Sequence, residues 1–332
     1  MPRWRFLAEP PGVPGLAVRG FRDAGDFPGM VAALNAACAA DGIERVEDPD
    51  QMARSYTRLD NSDIDTDVTI VERDGEIVAY ARVVWWEQHD GARRYLPFCF
   101  IRPEARGIGI GTALLAHNEA RLREVAAGHP TDRERTLDVF CSDTEDAAHE
   151  LYRRFGYEPA RYEADMVRPG LDDLPDAPMP EGLVVRTPRE DELRAVFEAE
   201  AEAFADHIDA APPTENDFLE FLDFEWRDEA LWRVAWDGDR VAGQVRSYID
   251  ERENARFGRQ RGYTEEISVR RPYRRRGLAR SLLVQSLAAV RDRGMTEAAL
   301  GVSTENLHGA LRLYESVGFQ RIRLWTTYRK PI

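Results

Sequence analysis

A chain of 332 residues has room for two domains, since a single domain usually runs to roughly 100–200 residues. Its formal net charge of −15 argues against a nucleic-acid binder, whose affinity rests on neutralising phosphates, and its 43% hydrophobic content places it among globular chains. No stretch approaches the ~18 apolar residues of a membrane span and the N-terminus holds no apolar core of signal-peptide length, so a cytoplasmic protein with no membrane partner is expected.

In chain order, apolar residues at helical spacing predict a first helix over 27–40. Residues 68–72 and 76–85 alternate like strands around the Asp74-Gly75 turn, a hairpin signal. A third strand is expected over 95–101, followed by a long helix over 109–125, a strand over 135–141, a helix over 146–155 and a last strand. Residues 168–182, "RPGLDDLPDAPMPEG", carry four prolines and read as a linker, which sets the expected domains at 1–174 and 175–332. Beyond the linker the order recurs: a helix over 190–204, strands over 231–236 and 240–249 around Asp237-Gly238-Asp239, a strand over 263–269, a helix over 277–293, a strand over 297–302 and a helix over 307–317. The expected class is α/β in the α+β sense, each half a mostly antiparallel mixed sheet flanked by helices.

Internal repetition supports the division. "RYLPFCFIRPEARGIGIGTALLAHNEARL" (94–122) has its counterpart in "GYTEEISVRRPYRRRGLARSLLVQSLAAV" (262–290). "DGEIVAYAR" (74–82) matches "DGDRVAGQVR" (237–246), and "LYRRFGYEPARY" (151–162) matches "LYESVGFQRIRL" (313–324). Three blocks in the same order make the halves related. Cys38, Cys99 and Cys141 show no CxxC spacing and read as reduced thiols, and the six histidines lack metal-ligand spacing, so no metal is expected.

One motif carries chemistry in both halves. A strand runs into Arg274-Arg275-Arg276-Gly277-Leu278-Ala279 and opens a helix at Ser281; in the first half the run is Arg106-Gly107-Ile108-Gly109-Ile110-Gly111, opening at Thr112. Both fit R-x-x-G-x-(G/A). A helix N-terminus offers unpaired N–H groups and the positive end of the dipole, small residues let a pyrophosphate approach the main chain, and arginines add charge-assisted bonds. The pattern is neither the G-x-G-x-x-G fingerprint nor a P-loop.

With "ALRLYESVGF" (310–319) some 40 residues downstream, the chain resembles the GNAT superfamily of acyl-CoA-dependent N-acyltransferases, in a tandem two-domain form. The resemblance implies acetyl-CoA as co-substrate and a primary amine as acceptor, met in a ternary complex without a covalent enzyme intermediate. It implies that amides from Arg275 to Ala279, extending to Arg280 and Ser281, hold the pyrophosphate, and that Ile267, Ser268 and Val269 pair with the pantetheine arm. Asn306 falls where family members contact the pantetheine end, and it also suits the N-cap of the next helix. Tyr314 maps onto the family's proton donor to the leaving thiolate; its other reading is a core aromatic. A backbone amide at or near Val269 would meet the oxyanion. For the base, "YTEEISV" offers Glu265, with Glu266 in reserve. The first half has Pro97 and Phe98 at those positions, Thr144 for Asn306, and Tyr152 for Tyr314, so it is expected to be catalytically weak or silent. The acids Asp206, Asp209, Glu215 and Asp217 either attract a cationic amine or form a solvated loop. The preferred acceptor is a small molecule; a protein N-terminus or lysine, and a non-enzymatic acetyl-CoA sensor, are the alternatives. The protein is expected to be a monomer or a homodimer.

Overall fold

The chain forms two contact-defined units, the first made of Met1–Ala160 with Thr326–Ile332 and the second of Arg161–Trp325. The computed structural model describes residues 12–205, 210–304 and 309–332.

In the first unit, β1 (Leu16–Gly20), β2 (Val68–Arg73), β3 (Glu76–Glu87), β4 (Arg93–Ile101) and β5 (Arg135–Ser142) lie in that spatial order. The first four are antiparallel neighbours; β4 and β5 are parallel and pair only over Arg93–Tyr95 and Arg135–Leu137. The helices are α1 (Phe27–Ala40), α2 (Pro49–Tyr56), the short α3 (Ile64–Asp67), α4 (Ile110–Ala127) and α5 (Asp146–Arg154). Met30, Ala33 and Leu34 make the buried stripe of α1, which packs on β3 and β4. The strand beside β5 comes from the end of the chain, and Ile332 N–H donates to Arg135 C=O.

The second unit takes the inner part of β6 (Glu158–Pro169), which pairs antiparallel with β11 (Glu297–Ser303) from Glu163↔Ser303 to Pro169↔Glu297. The rest of its sheet is β7 (Val184–Arg186), β8 (Arg233–Asp237), β9 (Arg240–Tyr248) and β10 (Arg261–Val269). Its helices are α6 (Leu193–Phe204), α7 (Glu215–Asp223), α8 (Glu251–Phe257), α9 (Leu278–Asp292) and α10 (Ala310–Ser316), and the chain ends in β12 (Gln320–Pro331). Leu282, Leu283, Leu287 and Val290 of α9 are fully buried, and each contributes roughly 1.5–3 kcal/mol of burial energy.

The α/β class, with mostly antiparallel sheets flanked by helices, is as expected. Differences from the sequence reading have local causes. Arg168, read as linker, belongs to β6 and is 4% exposed; its guanidinium donates to the carbonyls of Val317 (2.6 Å) and Asp173 (3.1 Å). Helix α7 carries Glu215 and Asp217, two of the acids read as attracting an amine or forming a solvated loop, and Thr214 caps it with a reciprocal bond to Asp217. Among the described residues, no helix is long and apolar enough to cross a membrane.

One glycine fixes the sheet beside the site. A Cβ on Gly243 of β9 would stand 2.8 Å from the Ser268 carbonyl oxygen and 3.0 Å from Val269 Cγ2. Gly243→Ala should therefore cost about 1–3 kcal/mol of unfolding free energy by overpacking, read as a lower denaturant midpoint. An unchanged midpoint would show that the strands separate at no cost.

Candidate active site

Strand pairing opens the site. Strands β10 and β11 pair in parallel only over Arg261–Tyr263 and Glu297–Ala299, after which they diverge. Against β9, β10 slips register by one residue between Glu265 and Ser268, and Glu266 in that bulge has φ +51°. A bulge bends its strand and re-aims side chains, and a non-glycine residue in the left-handed region is held there only by its surroundings. The divergence leaves a cleft of about 840 Å³ lined along β10 by Glu265 to Val269, along β11 by Gly301 to Ser303, and by Tyr314 of α10.

The turn after β10 forms one end. Pro272 sits in a single 3-10 turn, and Tyr273 anchors it by donating from its hydroxyl to Asp237 (2.9 Å). Arg275 (φ +61°) and Gly277 (φ +85°) are both left-handed, two residues apart, and α9 opens on Gly277 with no side-chain cap. The first Ser281 amide donates to the Gly277 carbonyl, so among the described residues the amides of 275 to 280 have no intramolecular acceptor. A Cβ on Gly277 would meet nothing within 4 Å, so the main chain there lies open to the cleft. These observations fit a phosphate-bearing ligand.

The arginines divide by role. Arg274 donates to the carbonyls of Val269 (2.9 Å) and Ala203 (2.9 Å), tying strand end, turn and α6 together. Arg275 is exposed on the cleft; Arg276 donates to the Glu181 carbonyl, and Arg280 to Ser316 Oγ (2.6 Å). Leu278 and Ala279 line the cleft, whereas Arg276 and the buried Ser281 do not.

The other end is acidic. The Gly301 amide donates to Glu265 Oε1 (3.2 Å), seating this half-buried carboxyl in the gap between the diverging strands. Burial pushes the Glu265 carboxyl up to about 8, helped by the charges of Glu266 and Asp165 and opposed by the Gly301 amide. Asp165 on β6 accepts from Trp325 Nε1 (2.8 Å). Tyr314 is buried against Phe319, and burial and then Glu265 raise its hydroxyl above the usual phenol range. The arrangement pairs a carboxyl able to take a proton near neutral pH with a phenol that keeps its own. Sequence reading missed Glu200 of α6, which accepts from Arg246 Nη2 (2.7 Å) and Gln244 Nε2 (2.9 Å). Burial, then Glu266, pushes the Glu200 carboxyl up.

In the first unit the same turn recurs: Gly107 (φ +76°) and Gly109 (φ +94°), with α4 opening uncapped at Ile110. Arg106 donates to the Ile101 and Ala37 carbonyls and forks onto Asp41. Gly111 packs near Ile101, and Thr112 Oγ1 accepts from Arg154 (2.9 Å). Pro97 and Phe98 stand where the second unit has its carboxylates, and β4 keeps unbroken register with β3. Thr144 donates to the Asp41 carbonyl (2.7 Å), and Tyr152 packs on Tyr157 and Tyr328. Asn306, Asp206 and Asp209 lie outside the described residues. Glu215 is ion-paired with Arg194 and Asp217 caps α7, so both have structural partners.

Sequence profiles described as "Acetyltransferase (GNAT) family" and "Acetyltransferase (GNAT) domain" match residues 193–319 and 65–159. Similar sequences include the mycothiol acetyltransferase of Geodermatophilus obscurus, 31% identical over 91% of this chain and 93% of that one. That of Thermobispora bispora is 29% identical over 92% of this chain and 96% of its own. Among solved structures, the GCN5-related N-acetyltransferase from Sphaerobacter thermophilus superposes with a TM-score of 0.72 at 27% identity, covering 96% of both chains. A tandem GNAT protein from the clavulanic acid biosynthesis pathway gives 0.66 at 16% identity, over 95% of this chain and 98% of that one, a likeness of fold.

Proposed function

This chain belongs to the GNAT acetyltransferase family, and on that premise we propose that its second unit moves the acetyl group of acetyl-CoA directly onto a primary amine of a small molecule. The observation that carries the reading is Glu265, seated by the Gly301 amide in the opening between β10 and β11 with its carboxyl pushed up to about 8. Acetyl-CoA supplies a thioester whose carbonyl carbon is open to attack.

The amides of 275–280 and the exposed Arg275 hold the pyrophosphate, while Ile267, Ser268 and Val269 offer their free strand edge to the pantetheine arm. Glu265 takes the proton of the acceptor ammonium, directly or through one water. As the new N–C bond forms and the C–S bond breaks, Tyr314 gives its proton to the departing thiolate, and the second proton shed by the new amide nitrogen restores the phenol. An amide at or near Val269 meets the negative charge on the carbonyl oxygen. The first unit keeps the turn but has Pro97 and Phe98 in place of the carboxylates, and its role is that of a catalytically silent partner fold.

Gly277 tests the cradle. Gly277→Val puts a branched side chain at φ +85° into open cleft. It should raise KM for acetyl-CoA about tenfold or more, equivalent to about 1.4 kcal/mol, with a smaller effect on the acceptor KM. An unchanged acetyl-CoA KM would remove the cradle from the binding site. The function itself is tested by screening amino sugars, polyamines, amino acids and cysteine-bearing amines for acetyl-CoA-dependent thiol release. Transfer to small amines supports the reading; transfer to peptides alone, or acetyl-CoA binding with no transfer, overturns it.

A further inference from the structure

The two related units provide an internal control for a polar quartet beside the bulge. Glu200 stands on the buried stripe of α6, one turn after Val196, and its Oε2 accepts from both Arg246 and Gln244 of β9. Gln244 is fully buried and in register with Ser268, while Arg246 is in register with Glu265. The two donors therefore flank the bulge from the neighbouring strand. Arg246 Nη2 also lies 3.9 Å from Glu266, the bulge residue with positive φ.

The strut arginines fix the correspondence between units. Arg106 reaches the Ala37 carbonyl as Arg274 reaches that of Ala203, so α1 corresponds to α6 with Leu34 at the place of Glu200. The repeat puts Tyr80 at Gln244, Arg82 at Arg246 and Phe98 at Glu266. Leu34 and Tyr80 are buried there, and Arg82 lies over the rings of Tyr56 (5.0 Å) and Phe98 (4.9 Å). The strand beside them has no slip in register. The scaffold thus folds with no carboxylate at these positions, and burying Glu200 costs desolvation that packing alone does not require.

We propose that Glu200 is a positioning residue for acetyl transfer: through Arg246 and Gln244 it holds the β10 bulge so that Glu265 and Glu266 face the cleft, and it draws the Arg246 guanidinium away from Glu265. Glu200 faces Arg246 of β9 and Glu266 of β10, and on α6 its neighbour Glu202 is paired with Arg270 (2.6 Å). Glu265 faces Glu266, Asp165 of β6, Tyr248 of β9, Tyr314 of α10 and the Gly301 amide.

The inference rests on the acetyl-transfer reading and is tested in the full chain with Glu200→Gln, which keeps the shape and a hydrogen-bonding oxygen. Its kcat should fall about 10- to 100-fold through misplacement of the reacting groups, with KM for acetyl-CoA little moved. The acidic limb of kcat/KM should shift to lower pH by about one unit, because Arg246, in register with Glu265, is released from Glu200 and turns toward that carboxyl. Glu200→Asp should recover part of both effects. A kcat loss with an unmoved limb is a merely structural effect and overturns the proposal, as does a variant equal to wild type. If Glu200→Gln does not fold, Glu200→Leu with Gln244→Tyr imports the packing that the first unit tolerates, and the same shift is expected of it. A wild type that acetylates no amine removes the functional reading along with this one; an active wild type matched by its variants removes this one alone.

Discussion

Replacing Glu265 with glutamine should lower kcat/KM about 100- to 10,000-fold, the range of general-base catalysis. The isosteric amide still accepts the Gly301 N–H (3.2 Å), so the strand opening is kept and only the proton acceptor is lost. The direction of the pH dependence follows from the carboxyl near 8. A base works when deprotonated, so wild-type kcat/KM should climb with pH up to about 8 and then level, with about a tenfold rise per unit on the limb. An acceptor amine titrating well above that value keeps its own limb separate. Stability should move the other way. A carboxyl whose folded pKa lies above its unfolded value binds more protons when folded, so its contribution is complete below the unfolded pKa and lost as pH rises to about 8. Glu265→Gln removes that dependence and should melt above wild type at alkaline pH. A variant with wild-type kcat/KM sinks the assignment and moves the search to Glu266, which lines the same cleft.

How much of this was written in the sequence differs by feature, for physical reasons. The tandem arrangement and the turns before α4 and α9 were legible because they depend on short-range signals: a strand, a basic turn with small residues, and an apolar helix, twice in the same order. The paired left-handed positions Arg275/Gly277 and Gly107/Gly109 show that the two motifs build one backbone shape. The bulge was not legible. "YTEEISV" alternates as an ordinary strand, and the slip between Glu265 and Ser268 exists only relative to β9. That slip is what lets both glutamates line the cleft, where strict alternation predicts one. The strand beside each parallel pair was equally hidden, since the period of 161–169 or 326–331 says nothing about which sheet will accept it. Glu200 did leave a trace. It is a carboxylate one turn from Val196 on the stripe that α6 buries, but the run "EAEAEAF" sets glutamate at every second position and masks the odd one.

Changing Tyr314 to phenylalanine should lower kcat by about 100-fold, the lower end of what a positioned general acid supplies. Phenylalanine keeps the ring, its burial and its edge contact with Phe319 at 6.2 Å, so folding stability should stay near wild type and the loss isolates the hydroxyl. Since burial and Glu265 hold that hydroxyl protonated well past neutrality, its removal should scale the profile down without moving the limb set by Glu265. This separates the two roles: a base variant flattens the limb, and an acid variant lowers it in place. The leaving group offers a sharper discrimination. A thioester of a more acidic thiol departs without needing a proton, so it should narrow the gap between Tyr314→Phe and wild type. An equal gap with both thioesters would make Tyr314 a packing residue. Combined with Glu265→Gln, the variant also interrogates the first unit, where Tyr152 packs on Tyr157 and Tyr328 and Pro97 and Phe98 leave no carboxylate opposite. Transfer in that double variant beyond what the product of the two single losses allows would show that the first unit works. Its absence is expected, because a phenol that can protonate a thiolate does nothing until a neighbour has freed the amine that displaces it.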